Sequence, residues 1–255
     1  MTITIKNEDE IRRMKEAGHV VALIHARIER AITPGVTTAE LDDIARTTLE
    51  ESGAVSSFIG YHGFPAHICT SVNEEIVHGI PGERRLRDGD VVSVDVGAIL
   101  DGYHGDSAWT YGVGQISDDA AALLRDTEAA LYLAVEAATS GNRLGAIGYA
   151  VEAHARRLGR GVVRNYGGHG IGRQMHEDPH VPNIGRPDRG IVLRPGLTLA
   201  IEPMLTLGTE ETKTLPDEWT VVTADGSLAA HFEHTVAVGA DGGRVLTRRL
   251  APVLE

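Results

Sequence analysis

The same order of predicted elements occurs twice in this chain: two amphipathic helices are followed by strands. Helical spacing of apolar residues predicts helices over 8–32 and 38–52, before a hairpin over 90–99 and 104–112. The second set comprises helices over 118–139 and 144–158 and strands over 162–165, 198–207, 219–224 and 228–238. A period of roughly 110 residues favours a duplicated α+β unit, with the sheets joined and the helices on one face. Because no biased linker separates the pseudo-repeats (about 8–112 and 118–238), we predict one domain spanning 1–255, with its site between the repeats.

Local signals define several ends of these elements. Asn7 and Ser117 are suitable caps for the first and third helices, and Thr37 with Glu40 has the spacing of a capping box. Asp101 and Gly102 predict a tight turn within the hairpin, and residues 225–226 predict a turn that joins the last two strands as a pair.

Composition excludes several classes of function. A net charge of −12 and a pI near 5.4 argue against a specific nucleic-acid or anionic-membrane binder, since both need a basic surface. The first residues, MTITIKNEDEIRR, do not show an apolar stretch behind a basic one, and no apolar run of about 18 residues occurs in the sequence, so we expect a cytoplasmic protein. The single cysteine, Cys69, cannot form an intrachain disulfide or a thiolate metal cage. It is either a small semi-buried side chain or part of a pocket.

Five ionisable residues lie in segments that otherwise have the pattern of apolar strands or glycine-rich turns. They are Asp95, Asp106, His169, Glu202 and Glu233. Burying a carboxylate costs several kcal/mol unless a cation or hydrogen bonds compensate. Four carboxylates and one imidazole match the ligands of a pair of divalent ions held by hard oxygen donors.

Hairpin geometry indicates that the two aspartates cooperate. With a two-residue turn at 101–102, Asp106 pairs with residue 97, and Asp95 is a diagonal neighbour on the same face. Diagonal neighbours lie roughly 7 to 8 Å apart, a distance that side chains can bridge through two ions about 4 Å from each other. Either aspartate alone could simply end a strand or satisfy a turn; the pair favours a metal site.

Taken one at a time, the other three residues are weaker evidence for a metal site. His169 is flanked by glycines, whereas Glu202 and Glu233 interrupt apolar runs, where a salt bridge to arginine is the usual explanation. His78 and His176, taken alone, are interpreted as surface or hydrogen-bonding histidines. A zincin HExxH motif, a G-x-S-x-G nucleophile motif and a dinucleotide-binding fingerprint are all missing from the sequence.

Several longer segments carry a family resemblance. They are YHGFP at 61–65, SVNEEIVHGIP at 71–81, DGYHGDSAWT at 101–110, GGHGIGRQMHEDP at 167–179, AIEPM at 200–204 and FEHT at 232–235. With the order Asp, Asp, His, Glu, Glu, the chain resembles the type I methionine aminopeptidases of peptidase family M24. The resemblance implies the pita-bread fold: duplicated helix-helix-hairpin units that form a curved antiparallel sheet with helices on its outer face. The whole chain would be one catalytic metallopeptidase domain.

The resemblance also implies an activity, the removal of initiator methionine from nascent polypeptides with a preference for a small second residue. Hydrolysis would take place at two divalent ions, which could be Co²⁺, Mn²⁺, Fe²⁺ or Zn²⁺. Asp106 and Glu233 would bind both ions, Asp95 one, and His169 with Glu202 the other. Glu202 would also serve as proton shuttle.

Further site residues follow from the same resemblance. His78 would contact the scissile amide, and His176 would stabilise the oxyanion, so both would be catalytic and substrate-binding. The methionine pocket would be formed by Tyr61, Phe64, Cys69, Met175 and Trp219, which without the motifs would be interpreted as ordinary core. Three residues differ from the pattern common in the family: Phe58 replaces a smaller residue, Met175 a phenylalanine and Gly97 a threonine.

The implied partners are peptides with N-terminal methionine and, transiently, the ribosome, with neither nucleic-acid specificity nor a membrane involved; the protein would be a monomer. Two alternatives remain at this point. One is a pita-bread aminopeptidase or prolidase of different specificity, and the other is a catalytically silent homologue that binds partners.

Overall fold

The computed structural model describes residues 3–250. Its four α-helices are α1 (Glu8–Ala31), α2 (Thr38–Glu51), α3 (Asp118–Ala137) and α4 (Gly145–Arg157), with a short 3₁₀ helix at Tyr61–Gly63. All four α-helices were predicted, and the predicted ends differ by at most two residues. No helix among the described residues has the length and apolarity needed to span a membrane.

Side-chain caps explain where three helices begin. The Asn7 side chain accepts a hydrogen bond from Glu10 N at 3.0 Å, and the Glu10 carboxylate accepts one from Asn7 N at 2.9 Å. Thr37 and Glu40 form the second capping box, and Ser117 accepts from the backbone at the start of α3. These bonds satisfy amides that lack a partner within the helix.

Residues 3–250 also contain fifteen strands, which follow and separate the helices. In the first half they are β1 (Val55–Ser56), β2 (Cys69–Val72), β3 (Glu75–Val77), β4 (Val91–Leu100) and β5 (Tyr103–Gly112). In the second half they are β6 (Gly161–Val162), β7 (Gly167–Gly170), β8 (Glu177–Pro182), β9 (Thr198–Ile201), β10 (Met204–Thr206), β11 (Thr212–Thr214), β12 (Val221–Thr223), β13 (Ala229–His231), β14 (His234–Ala237) and β15 (Arg244–Val245). All pairing between these strands is antiparallel.

The long hairpin is the centre of the first half. Strands β4 and β5 pair along their whole length across the turn at Asp101 and Gly102, with Asp106 opposite Gly97. The predicted register is therefore confirmed. Strand β2 lies on the other side of β4 and places Cys69 opposite Asp95.

Strands of the second half are shorter than predicted. The run predicted over 198–207 is divided into β9 and β10 at Glu202 and Pro203, because a proline has no amide hydrogen to donate to a ladder. The run predicted over 228–238 is divided into β13 and β14 because Glu233 N leaves its own ladder and donates to Ala108 O at 2.8 Å. Both glutamates thus lie at strand breaks rather than inside continuous strands.

The turn at 225–226 is present, but the strands beside it do not form a hairpin. Strand β12 pairs with β3 and β11, whereas β13 pairs with β10. The reason is competition from an earlier segment: Thr223 N donates to Glu74 O and Ala229 N to Asn73 O, both at 2.9 Å. Pairing of the last two predicted strands with each other was therefore wrong.

Hydrogen bonds join the hairpin to the C-terminal strands. Asp106 N donates to Thr235 Oγ1 at 2.9 Å, and Thr110 Oγ1 donates to His231 O at 2.8 Å. Helix α1 packs on the hairpin so closely that a Cβ at Gly105 would lie 2.7 Å from Gly18 N. The largest apolar cluster contains residues of both halves, so the two halves share one core.

Candidate metal centre and substrate cavity

All twelve side chains predicted for the site line one cavity of about 350 Å³. The five predicted ligands belong to different parts of the fold: Asp95 lies in β4, Asp106 in β5 and His169 in β7, whereas Glu202 directly follows β9 and Glu233 directly precedes β14. The other seven are His78, His176, Tyr61, Phe64, Cys69, Met175 and Trp219. The fold therefore brings together residues that are separated by up to 172 positions in the sequence, from Tyr61 to Glu233.

The ligand atoms lie close together. One atom each of Asp106, His169 and Glu233 falls within 4.8 Å of the others. His169 Nε2 is 4.0 Å from Asp106 Oδ2 and 3.8 Å from Glu202 Oε1. These separations are longer than hydrogen bonds and leave room for an ion between the donors.

The hydrogen bonding of the carboxylates tests whether a cation fits. Asp95 Oδ1, Asp106 Oδ1 and Glu233 Oε1 are buried and have no hydrogen-bond partner. Buried polar atoms are nearly always paired, so three unpaired oxygens in one cavity indicate that another group satisfies them. Oxygen donors with one imidazole suit a divalent cation, and the residues therefore fit the predicted metal.

The pKa values of the four carboxyl groups also indicate that a cation fits the site. Burial raises the pKa of Asp95 to about 7 and the pKa of Glu202, near the charge of Asp95, to about 8. Burial, together with repulsion between the carboxylates, raises the pKa values of Asp106 and Glu233 well above the usual range. Ionising all four groups together therefore requires compensating positive charge.

His169 is held in the form that binds metals. Burial lowers its pKa to about 3, so the ring is neutral. Since Nδ1 lies 2.8 Å from Gly170 O, which can only accept, Nδ1 carries the hydrogen and Nε2 presents its lone pair to the carboxylates. The residue before His169 is Gly168, where a Cβ would lie 2.1 Å from Ala200 O. Glycine at this position therefore allows β7 to pack closely against β9.

His176 lies beside this group and is hydrogen-bonded to the pocket. Its Nδ1 is 2.8 Å from the Tyr61 hydroxyl, and its ring centroid is 4.1 Å from that of His169. Burial lowers the pKa of His176. His78 also lines the cavity; it has a φ of 62°, and its ring lies edge-on to Tyr166 and Trp219.

The predicted pocket is an apolar cluster next to the carboxylates. Phe58, Phe64 and Cys69 are buried in it, and Met175 and Trp219 pack against them. Phe64 and Trp219 meet edge to face at 5.1 Å. Burial raises the pKa of the Cys69 thiol well above its usual value, so Cys69 lines the pocket as an apolar residue rather than a nucleophile.

Two of the departures from the family pattern are explained together. A Cβ at Gly97 would lie 2.7 Å from Phe58 Cε1 and 2.8 Å from Ser57 Cβ. The Phe58 ring thus occupies the space that a side chain at position 97 would need. The larger residue at 58 and the smaller one at 97 are one packing arrangement in the cavity wall.

Sequence reasoning missed several residues of the cavity. These are His62, Val77, Asn165, Tyr166, Gly167 and His180 in the lining, with Phe58 noted only as a departure. It also missed His231, which is buried and whose Nε2, without a hydrogen-bond partner, is 3.7 Å from Glu202 Oε2. The two-residue spacing from Glu233 was the available signal for His231.

Comparison with known proteins agrees with this geometry. A sequence model of metallopeptidase family M24 matches residues 12–240. The chain belongs to metallopeptidase family M24, as its motifs predicted.

Individual proteins that the chain resembles include methionine aminopeptidases. Methionine aminopeptidase 1 of Bacillus subtilis (strain 168) is 52% identical over 246 residues, covering 96% of this chain and 99% of the relative. The crystal structure of a methionine aminopeptidase from Thermotoga maritima superposes with a TM-score of 0.95 at 41% identity, covering 97% of this chain and 100% of that one. An Xaa-Pro dipeptidase from Bacillus anthracis gives a TM-score of 0.79 at 25% identity, and the match covers 96% of this chain but 62% of that chain. The pita-bread fold predicted from the motifs is thereby confirmed.

Proposed function

We propose that this chain removes the initiator methionine from polypeptides by hydrolysing the first peptide bond, with a preference for a small second residue. The observation that carries the proposal is the position of the carboxylate cluster beside the apolar pocket of Phe64, Cys69 and Trp219. A flexible thioether chain suits such an aromatic and sulfur-containing lining. The full-length identity to methionine aminopeptidases supports the same substrate.

The cluster is proposed to hold two divalent ions. Asp106 and Glu233 would serve both, Asp95 would serve one, and His169 with Glu202 the other. Their unpaired oxygens support this assignment. Bound there, the ions would lower the pKa of a water molecule and polarise the scissile carbonyl. An oxygen-rich shell accepts Co²⁺, Mn²⁺ or Fe²⁺ as well as Zn²⁺.

The proposed work of the remaining polar residues is proton transfer and charge stabilisation. Glu202 would take up the proton released by water and deliver it to the leaving amine. The Tyr61 hydroxyl donates to His176 Nδ1 when that imidazole is neutral with its hydrogen on Nε2. Nε2–H would then be available to the oxyanion, and His78 would contact the scissile amide.

The decisive experiment measures methionine release from Met-Gly-Met-Met after adding Co²⁺ or Mn²⁺ to the metal-stripped protein. We expect release that depends on the metal and that decreases sharply when lysine replaces glycine at the second position. A peptide with proline at its second position and a residue other than methionine at its first is the control for prolidase-like specificity. Cleavage of that peptide alone, or no release with any divalent metal, would contradict the proposal.

We further propose that residues 1–255 form a single catalytic domain, that it acts as a cytoplasmic monomer, and that it meets its substrates at the ribosome. A shared apolar core supports one domain, and a nascent-chain substrate supports ribosome contact. Light scattering would test the monomer. Sedimentation with translating and with empty ribosomes would test the contact.

A further inference from the structure

Lys6 and Glu177 form the most deeply buried lysine or arginine ion pair in residues 3–250. Lys6 Nζ is 2.6 Å from Glu177 Oε2, and the two side chains are 5% and 9% exposed. The next most buried pair, Arg160 with Asp126, has side chains 18% and 19% exposed. An ion pair this buried retains little solvent to replace a lost partner.

Glu177 organises the turn formed by residues 172–177, of which it is the last residue. This turn is called here the His176 turn. Glu177 Oε1 accepts from Arg173 N at 2.9 Å and from Gln174 N at 3.2 Å. Its Oε2 accepts from Lys6 and from the Thr4 hydroxyl. One carboxylate thus satisfies amides of the turn on one side and the N-terminal segment, residues 3–7, on the other.

Lys6 lies directly against the backbone of the turn. A Cβ at Gly172 would lie 2.4 Å from Lys6 Cε and 2.7 Å from Glu177 Oε1, so the absence of a side chain at Gly172 lets the ion pair lie against the backbone in its present conformation. Lys6 N donates to Gly196 O at 2.7 Å, which attaches the N-terminal segment to the body of the protein. Gly172 O in turn accepts from His104 N at 2.8 Å, at the start of the hairpin strand β5.

The His176 turn carries two residues of the cavity, Met175 and His176. Glu177 also pairs across the ladder with Gly170, the residue after His169. Lys6 itself does not line the cavity, and it precedes the residues 12–240 that match the family model.

We infer that Lys6 is a positioning residue for the reaction: through Glu177 it holds the His176 turn so that the His176 imidazole faces the scissile carbonyl. This inference rests on the role proposed above for His176. Loss of Lys6 leaves a buried carboxylate without its cation, and the turn then relaxes toward water. A displacement of about 1 Å in a positioned group lowers turnover by up to about 100-fold.

The test compares Lys6→Met, Lys6→Arg and the matched control Arg160→Met, which removes the ion pair between Asp126 in α3 and the segment that follows α4. Lys6→Met should lower kcat about 10- to 100-fold while KM and metal content change less than about twofold. Lys6→Arg keeps the charge and should restore most of the lost turnover. Arg160→Met should lower thermal stability without lowering kcat. An equal loss of kcat in Arg160→Met would overturn the inference, because general destabilisation would then explain both.

A double-mutant cycle separates positioning from structure. In a His176→Ala background, adding Lys6→Met should change kcat less than about twofold, because the residue to be positioned is gone. Fully additive losses would overturn the inference. If Lys6→Met does not fold, Glu177→Gln takes its place in the cycle, since the amide oxygen can still accept from the turn.

A readout without turnover keeps this inference distinct from the proposed function. In protein labelled with ¹⁵N-histidine, the His176 ring nitrogens report the hydrogen bond between Nδ1 and Tyr61. We expect these signals to shift or broaden in Lys6→Met and to remain as in the wild type in Arg160→Met. Unchanged His176 signals in Lys6→Met would overturn the inference whether or not the wild-type protein releases methionine.

Discussion

The two halves of the molecule supply the proposed metal ligands in different ways. In the first half, Asp95 and Asp106 project from one hairpin whose two strands pair over ten residues each. In the second half, β7, β9 and β14 are four residues long, and they place His169 within a strand but Glu202 and Glu233 at strand breaks. Local register positions the first pair, whereas contacts between distant segments position the other three.

The difference has a physical consequence. A hairpin fixes the relative position of its side chains as soon as its turn forms. A ligand at a strand break depends on bonds made to another part of the chain, such as the bond from Glu233 N to Ala108 O at 2.8 Å. The relative position of Asp95 and Asp106 is therefore set within the hairpin, whereas the position of Glu233 depends on a bond to the hairpin.

The largest effect is expected from Asp106→Ala in the hairpin. Asp106 is 3% exposed and lies within reach of both His169 and Glu233, so its loss should remove metal and activity together. Mutation of a residue that only supports a ligand already weakens metal binding about 10- to 100-fold, and loss of a direct ligand should exceed that. Calorimetry with Mn²⁺ and metal analysis measure the effect. Two tight sites remaining in Asp106→Ala would contradict the assignment.

A histidine from each half provides the next comparison. His78→Ala and His176→Ala should each lower kcat by about 100-fold or more, because a proton donor or oxyanion donor is lost. Neither residue is a proposed ligand, so metal content should stay close to that of the wild type. Steady-state kinetics together with metal analysis check both points. Metal loss in either variant would assign that histidine to the metal shell instead.

One glycine in each half, Gly97 and Gly168, tests how tightly that half is packed around the cavity. Gly97→Ala should lower the free energy of unfolding by about 1–3 kcal/mol, and by less in a Phe58→Ala background, where one of the two clashes is removed. Gly168→Ala should cost at least as much, and its cost should not change with Phe58, because its Cβ would meet the carbonyl of Ala200. Urea unfolding of the single and double variants measures these differences. Equal costs of Gly97→Ala with and without Phe58 would contradict the packing argument.

The smallest expected effect is a pH dependence of stability that arises where α1 packs on the hairpin. His25 in α1 is buried between the Tyr111 hydroxyl and Ser107 O, and burial lowers its pKa to about 4 from 6.5. Between these values the unfolded chain binds a proton that the folded protein does not, so stability falls as the pH falls below 6.5. One such group contributes up to about 1.4 kcal/mol per pH unit.

The measurement compares wild type with His25→Gln. Between pH 6.5 and 5.5 the free energy of unfolding should fall by about 1 kcal/mol more in the wild type, since the other titrating groups are common to both proteins. Parallel pH profiles would mean that His25 does not control this part of the acid dependence.

Prediction from sequence succeeded where the signal was local. Apolar period defined the four helices, capping residues defined the starts of three of them, and the turn at 101–102 fixed the register that puts Asp106 opposite Gly97. It failed for the last two predicted strands, because β12 and β13 bond to residues 73–75, more than a hundred positions earlier. No local pattern encodes such a competition.

The sequence by itself determined the helices, the hairpin, the candidate ligand residues and, through its motifs, the family. Only the tertiary structure decided that Glu202 and Glu233 lie at strand breaks, that Phe58 fills the space beside Gly97, and that Lys6 reaches Glu177. The reason is that periodicity and turn chemistry act between near neighbours, whereas packing and buried charge pairs depend on which distant segments meet. Contacts between these distant segments form only when the chain folds.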